Sequence, residues 1–231
     1  GVDVVIQDTG IQADHPEFRD ASNVSRVKQI NWFTESGVSG TQPANFYSDS
    51  EGHGTHVAST AAGKRFGWAK NAHIYSQTIF GSSEISNEDA MDTLLGWHQN
   101  KGTGRPTVVN MSWGTMTAIV NYSVGPFWYD PDLNQVYPIT GVNHRGTFHS
   151  TTSLSTLQNY GGPKRLSDYW YDPTIASYVP YYMLPVRTTS LDVDIQNLVN
   201  AGVIVCIASG NDSVKQDISG GIDYDNYFCL L

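Results

Sequence analysis

Basic runs are missing from this sequence. Lys and Arg together number 13 against 22 Asp and Glu, for a net charge of −9. A chain with that balance has no footprint for nucleic acid, and it is repelled by anionic membrane surfaces. Long apolar runs are missing too. None approaches the ~18 residues that a bilayer span needs. Cysteine is scarce: Cys206 and Cys229 are the only two, which excludes a disulfide framework. Cys206 lies in the run Val203-Ile204-Val205-Cys206-Ile207-Ala208, where it reads as a small buried hydrophobe. No leader-like segment and no internal repeat is visible. Gly1-Val2-Asp3-Val4-Val5-Ile6 already reads as a core strand, so the start is expected to be a processed or trimmed end.

What is present suits an α/β domain. The chain has 231 residues, 39% of them hydrophobic, enough for one domain with a large insertion. Short β-branched runs at Val2–Ile6, His73–Ile79, Thr107–Met111 and Val203–Ala208 have the length and composition of strands buried on both faces. Helical patterns lie between them. Ser86 with Asp89 three residues on is a variant capping box, and Met91, Leu94, Leu95 and His98 then share one face before Gly102. Leu191, Ile195, Leu198 and Val199 mark a second helix that stops at Gly202. The small residues of His53–Ala62 suit a helix packed closely on a sheet. This alternation predicts a mostly parallel sheet with helices on both faces and sites at the carboxyl ends of its strands. Asp8, Ser112 and Asn211 each fall just after an apolar run.

Residues 115–190 break the rhythm. Tyr122, Phe127, Trp128, Tyr137, Trp170 and Tyr181 are among many aromatics there, with scattered Pro and Gly and no period. The segment is expected to be an ordered, irregular excursion held by its aromatics, either a folded subdomain or a docking surface. The expected division is 1–114 with 190–231, and an insertion at 115–189.

Four segments carry chemistry. Asp8 ends an apolar strand and is followed by Thr9-Gly10; such a carboxylate can orient an imidazole and stabilise its charged form, or it can simply be a turn residue. His53 starts a helix between Gly52 and Gly54, whose missing side chains leave room for a passing substrate backbone. The alternative is a metal pair with His56, but no Glu-bearing zinc-helix pattern or third ligand accompanies it. His56 reads as a structural, hydrogen-bonded histidine. Ser112-Trp113-Gly114 directly follows the apolar run Thr107–Met111, where the residues alone read as a strand end with a turn. Asn211, in Ala208-Ser209-Gly210-Asn211-Asp212, follows another apolar run, where the residues alone read as an Asn in a left-handed turn.

Asp8-Thr9-Gly10-Ile11 with His15-Pro16-Glu17-Phe18, and Gly52-His53-Gly54-Thr55-His56-Val57-Ala58, resemble the Asp and His boxes of subtilisin-like serine proteases. Gly63–Ala72 is similar to the proteinase K branch, with no room for the calcium loop that bacterial subtilisins insert there. The resemblance implies a three-layer α/β fold with a mostly parallel central sheet, C-terminally truncated and carrying a large aromatic-rich insertion. It implies that Asp8 orients His53, that His53 is the general base, that Ser112–Gly114 binds substrate, and that Asn211 lines the oxyanion hole. Trp113 stands where Leu is commoner, which predicts an altered pocket wall. The family's Gly-Thr-Ser-Met-Ala nucleophile motif occurs nowhere in the chain, so the catalytic Ser is expected outside it. Calcium is a cofactor the resemblance implies, without an assignable ligand. Expected partners are a peptide or protein substrate, and either the remaining C-terminal part of the protease or another protein docked on 115–189. Secretion is likewise implied. The alternative is a catalytically inactive subtilase-like module serving a larger assembly.

Overall fold

A computed structural model describes residues 1–36, 39, 41, 48–80, 85–114, 117–122, 125–130, 135–151, 153–159, 164–172, 176–184, 188–209 and 227–230. In chain order the elements are β1 (Asp3–Asp8), a 3-10 turn (Pro16–Phe18), β2 (Val27–Gln29), α1 (Trp32–Ser36), α2 (His53–Ala62), β3 (His73–Thr78), α3 (Asn87–Asn100) and β4 (Thr107–Met111). They continue with β5 (Thr117–Tyr122), β6 (Gly125–Asp130), β7 (Gln135–His144), β8 (Thr147–Ser150), α4 (Leu154–Asn159), β9 (Lys164–Asp172) and β10 (Ser177–Leu184). The last are α5 (Thr189–Asn200), β11 (Ile204–Ile207) and β12 (Tyr227–Leu230). The chain divides into two compact units, Gly1–Gly114 with Thr188–Ala208, and Thr115–Arg187 with Ser209–Leu231.

The first unit is a three-layer α/β structure. Its sheet runs β11-β4-β1-β3-β2, with every pairing parallel. β1 lies at the centre and all six of its residues are buried. Successive strand residues face opposite ways, so β1 feeds two cores. Val4 and Ile6 join Ile11, Phe18, Ala58, Ala62 and Ile74 on the α2 side. Val5 joins Met91, Leu94, Trp97, Val109, Met111 and Leu198 on the side of α3 and α5. Inside the sheet Gln7 Nε2 donates to Gln77 Oε1 at 3.0 Å, and Gln77 Nε2 to the Ala90 carbonyl at 2.8 Å. Ser86 caps α3 as its sequence predicts, accepting from the Asp89 amide at 3.0 Å while its hydroxyl donates to the Asp89 carboxylate at 2.9 Å.

Cys206 departs from expectation. It is exposed, as are Ile204 and Ile207 beside it. Among the described residues β11 is an outer strand of its sheet and pairs only with β4. An apolar, β-branched run reports strand propensity but not whether the strand is central or at an edge.

The second unit is antiparallel. Its strands follow the order β12-β7-β6-β5-β10-β9, with β8 also on β7. The irregular excursion expected from the sequence is therefore a sheet. The period was hidden because runs such as Tyr169-Trp170-Tyr171 place like residues at successive positions, which erases apolar–polar alternation. A turn signal was present: Arg145 and Gly146 both take positive φ, at 51° and 75°, as a two-residue hairpin between β7 and β8 requires. The division also differs at its end. Tyr227–Leu230 pairs with β7 and belongs with the second unit, not with the first as expected.

Candidate active site

Three strand ends lie side by side. The registers Gln7↔Met111 and Ile207↔Met111 bring Asp8, Ser112 and Ala208 to one carboxyl edge of the sheet, where parallel α/β sheets place their sites. Ala208 N bonds to the Met111 carbonyl at 3.0 Å and extends that edge.

Helix α2 brings His53 to Asp8. Gly54 makes this approach feasible, because a Cβ there would run into the Gly10 carbonyl oxygen and come within 3.1 Å of the Asp8 Cβ. The sequence reading reserved that space for substrate; it is filled by the chain itself. Gly52, at φ 90°, is the N-cap residue of α2, and its left-handed conformation is one that glycine adopts without strain.

The result is a short contact. His53 Nδ1 stands 2.7 Å from Asp8 Oδ1, and that oxygen also accepts the Thr9 amide at 2.8 Å. Asp8 is 1% exposed and His53 is 53% exposed. Asp8 Oδ2 is buried with no partner among the described residues. With Nδ1–H donating to Asp8, the lone pair of the neutral imidazole is on Nε2, as a general base needs. The hydrogen bond to Asp8 raises the His53 pKa above its ordinary value; desolvation opposes this, and the charges of Asp8, Glu51 and Asp49 add to it. The pair can thus take up a proton at Nε2 and hold the imidazolium by a fixed carboxylate.

The neighbouring loop supplies a residue the motif reading passed over. Asp49 is buried. Its carboxylate accepts from the Thr9 hydroxyl, the Gly52 amide, and the amide and hydroxyl of Thr55, at 2.7–2.9 Å. The sequence clue was its place four residues before His53, at the entrance of a helix whose N-cap is a glycine.

Ser112 and Gly114 stand at the end of β4. Ser112 Oγ accepts from Asn110 Nδ2 at 2.8 Å, and Gly114 is exposed. Trp113 packs edge-on to Phe80 with ring centroids 5.5 Å apart, and its Nε1 is buried without a partner among the described residues. Asn211 lies outside the described residues. His56, expected to be a structural, hydrogen-bonded histidine, lies exposed on α2. Among the described residues no group of three or more His, Cys, Asp or Glu side chains is placed to hold a metal ion.

The chain matches the subtilase family of S8 peptidases over residues 1–226, and it belongs to that family. It is 26% identical over 176 residues to a cuticle-degrading serine protease of Arthrobotrys oligospora, covering 70% of this chain and 41% of that protein. It is 29% identical over 137 residues to a subtilisin of Bacillus sp. strain TA39, covering 53% of this chain and 31% of the relative. A cold-adapted subtilisin-like serine proteinase of known structure overlaps 91% of this chain and 47% of its own, at 21% identity and a TM-score of 0.47. The chain thus spans less than half the length of these relatives.

Proposed function

We propose that this chain is the Asp- and His-bearing part of a subtilisin-like serine endopeptidase. The 2.7 Å contact between His53 Nδ1 and the buried Asp8 carboxylate carries the reading. A Ser outside residues 1–231 attacks the peptide carbonyl. His53 Nε2 takes the Ser proton and then delivers it to the leaving amine, while Asp8 holds the imidazole and its positive charge. The strand end Ser112–Gly114 pairs with the substrate backbone, Trp113 shapes the adjoining wall, and Asn211 donates to the oxyanion. Secretion is the location that the family resemblance supports.

The test is labelling with a serine-directed phosphonate and hydrolysis of a peptide substrate. A protein that includes the C-terminal remainder labels and cleaves. Its His53→Ala variant loses activity on the order of a million-fold, the size of this loss in subtilisin itself. The chain of residues 1–231 alone does not label. Stoichiometric labelling of a Ser within it would sink the proposal.

A binding module is the second reading. It is favoured by the exposed Tyr169, Tyr171 and Tyr178 on the sheet of the second unit, where Tyr171 and Tyr178 meet edge to face at 5.2 Å. Full-length protein that binds a partner but cleaves nothing would establish it.

A further inference from the structure

The geometry points to Asp49 as a positioning residue for His53: its buried carboxylate clamps the N-terminus of α2 and, through the Thr9 hydroxyl, ties that terminus to the strand end that carries Asp8. The inference rests on reading Asp8 and His53 as the working pair. A helix N-terminus presents amides with no partner inside the helix. Gly52, the N-cap residue, has no side chain with which to satisfy them. Asp49 takes over that task from outside. Oδ1 accepts the Gly52 amide at 2.8 Å and the Glu51 amide at 3.2 Å, and Oδ2 accepts the Thr55 amide at 2.8 Å. The carboxylate also complements the positive end of the helix.

The link to the strand is the second half of the device. Thr9 directly follows Asp8. Its hydroxyl donates to Asp49 Oδ1 at 2.9 Å and accepts the Gly54 amide at 2.9 Å. Gln12, further along the same turn, donates its amide to Thr55 Oγ1 at 3.0 Å. Asp8 thus directly precedes Thr9, and His53 directly precedes Gly54, whose amide Thr9 accepts. The two halves of the pair are set by adjacent residues of one hydrogen-bonded cluster. His53 itself is half exposed, and among the described residues its ring meets Asp8 through a single short contact. Burial by itself would raise the Asp49 carboxyl, but its bonds from Thr55, Gly52 and Thr9 outweigh burial and hold it below its ordinary value. It therefore stays charged throughout the neutral range. Misplacement of a catalytic group by ~1 Å can cost about a hundredfold in rate, so a clamp remote from the chemistry acts on it.

The experiment is a histidine titration by NMR on residues 1–231, with the His53 resonance assigned by its loss in His53→Ala. Asp49→Asn weakens the clamp and removes a charge. Thr9→Val breaks the bridge while leaving every charge in place. The charged groups acting on His53 are Asp8, Glu51 and Asp49, and Thr9→Val alters none of them. In Thr9→Val we expect the His53 midpoint to fall by about half a pH unit or more, with loss of its low-field Nδ1 proton; Asp49→Asn shifts it further. If Asp49→Asn does not fold, Thr9→Val decides alone. An unchanged midpoint and low-field proton in Thr9→Val overturn the inference, even if its melting temperature drops, because a purely structural clamp would do that. A shift confined to Asp49→Asn overturns it as well, since loss of a nearby charge then suffices. Absence of peptidase activity in the full-length protein would defeat the protease reading and leave these titrations unchanged.

Discussion

Strand β1 begins and ends on a buried aspartate, and the protein treats the two ends in opposite ways. At the start, Asp3 is 0% exposed and meets Lys101 Nζ at 2.8 Å and Arg105 Nε at 2.6 Å. Lys101 is itself only 6% exposed and also donates to Thr107 Oγ1 and the Arg105 carbonyl, both at 2.6 Å. Thr107 Oγ1 lies 2.8 Å from His98 Nδ1, and His98 Nε2 reaches the Ala201 carbonyl at 3.1 Å, which joins β4, α3 and the end of α5. At the other end, Asp8 meets one titratable, half-exposed histidine and keeps an oxygen unpartnered among the described residues. A closed network with permanent cations fixes structure. An open pair with a group that can lose its proton leaves a nitrogen free for chemistry.

The largest effect that would test this contrast is at the closed end. Asp3→Ala leaves the Lys101 ammonium buried without its counter-charge, and should lower stability by about 3–5 kcal/mol in urea unfolding. Asp8→Asn should cost less than about 1 kcal/mol, because its partner is half exposed and can be neutral. Equal losses would erase the distinction. Gly54→Ala should come next, at about 1–3 kcal/mol, since its Cβ collides with backbone and not with a flexible side chain. It should also push α2 off Asp8, seen as loss of the low-field His53 proton.

The pH dependence should split the two ends. Burial would raise the Asp3 carboxyl, but Lys101 and Arg105 outweigh it and hold it below its ordinary value. Its contribution to stability is therefore present above about pH 4 and lost as pH falls through the lowered value. His53 is raised by its bond to Asp8. Its contribution is present below about pH 6.5 and lost as pH rises through the raised value. Melting curves of Asp3→Ala and Asp8→Asn should thus approach the parent at opposite ends of the pH scale, in acid for the first and in alkali for the second. The smallest effect lies away from both ends: Cys206 should react stoichiometrically with a thiol reagent in the folded chain, without loss of stability. Protection would restore the buried position expected from the sequence.

Much of this architecture was readable in advance. The runs around Val4, Ile74, Val108 and Val205 marked the parallel strands, because a strand buried on both faces has few residue types open to it. Ser86 and Asp89 marked a helix start because their bond is local. The Asp8 and His53 motifs carried the pair, since the small residues that let helix and strand approach lie within a few positions of them. The antiparallel sheet of residues 117–184 was not readable, because aromatics at successive positions hide its period. Cys206 was misplaced because the runs of β-branched residues at Val203–Ala208 and Val2–Ile6 look alike, although β11 is outer and β1 central.

The sequence by itself determined local matters: which runs become strands, where helices start, and which short motifs hold Asp8 and His53. Those depend on residues near one another in the chain, through hydrogen bonds, backbone preferences and steric room. The tertiary structure alone decided which strand lies at an edge, that the space at Gly54 is taken by Gly10, and that Asp49 and Thr9 join helix to strand. Each of those depends on contacts between segments about forty residues or more apart, and no local pattern specifies such contacts.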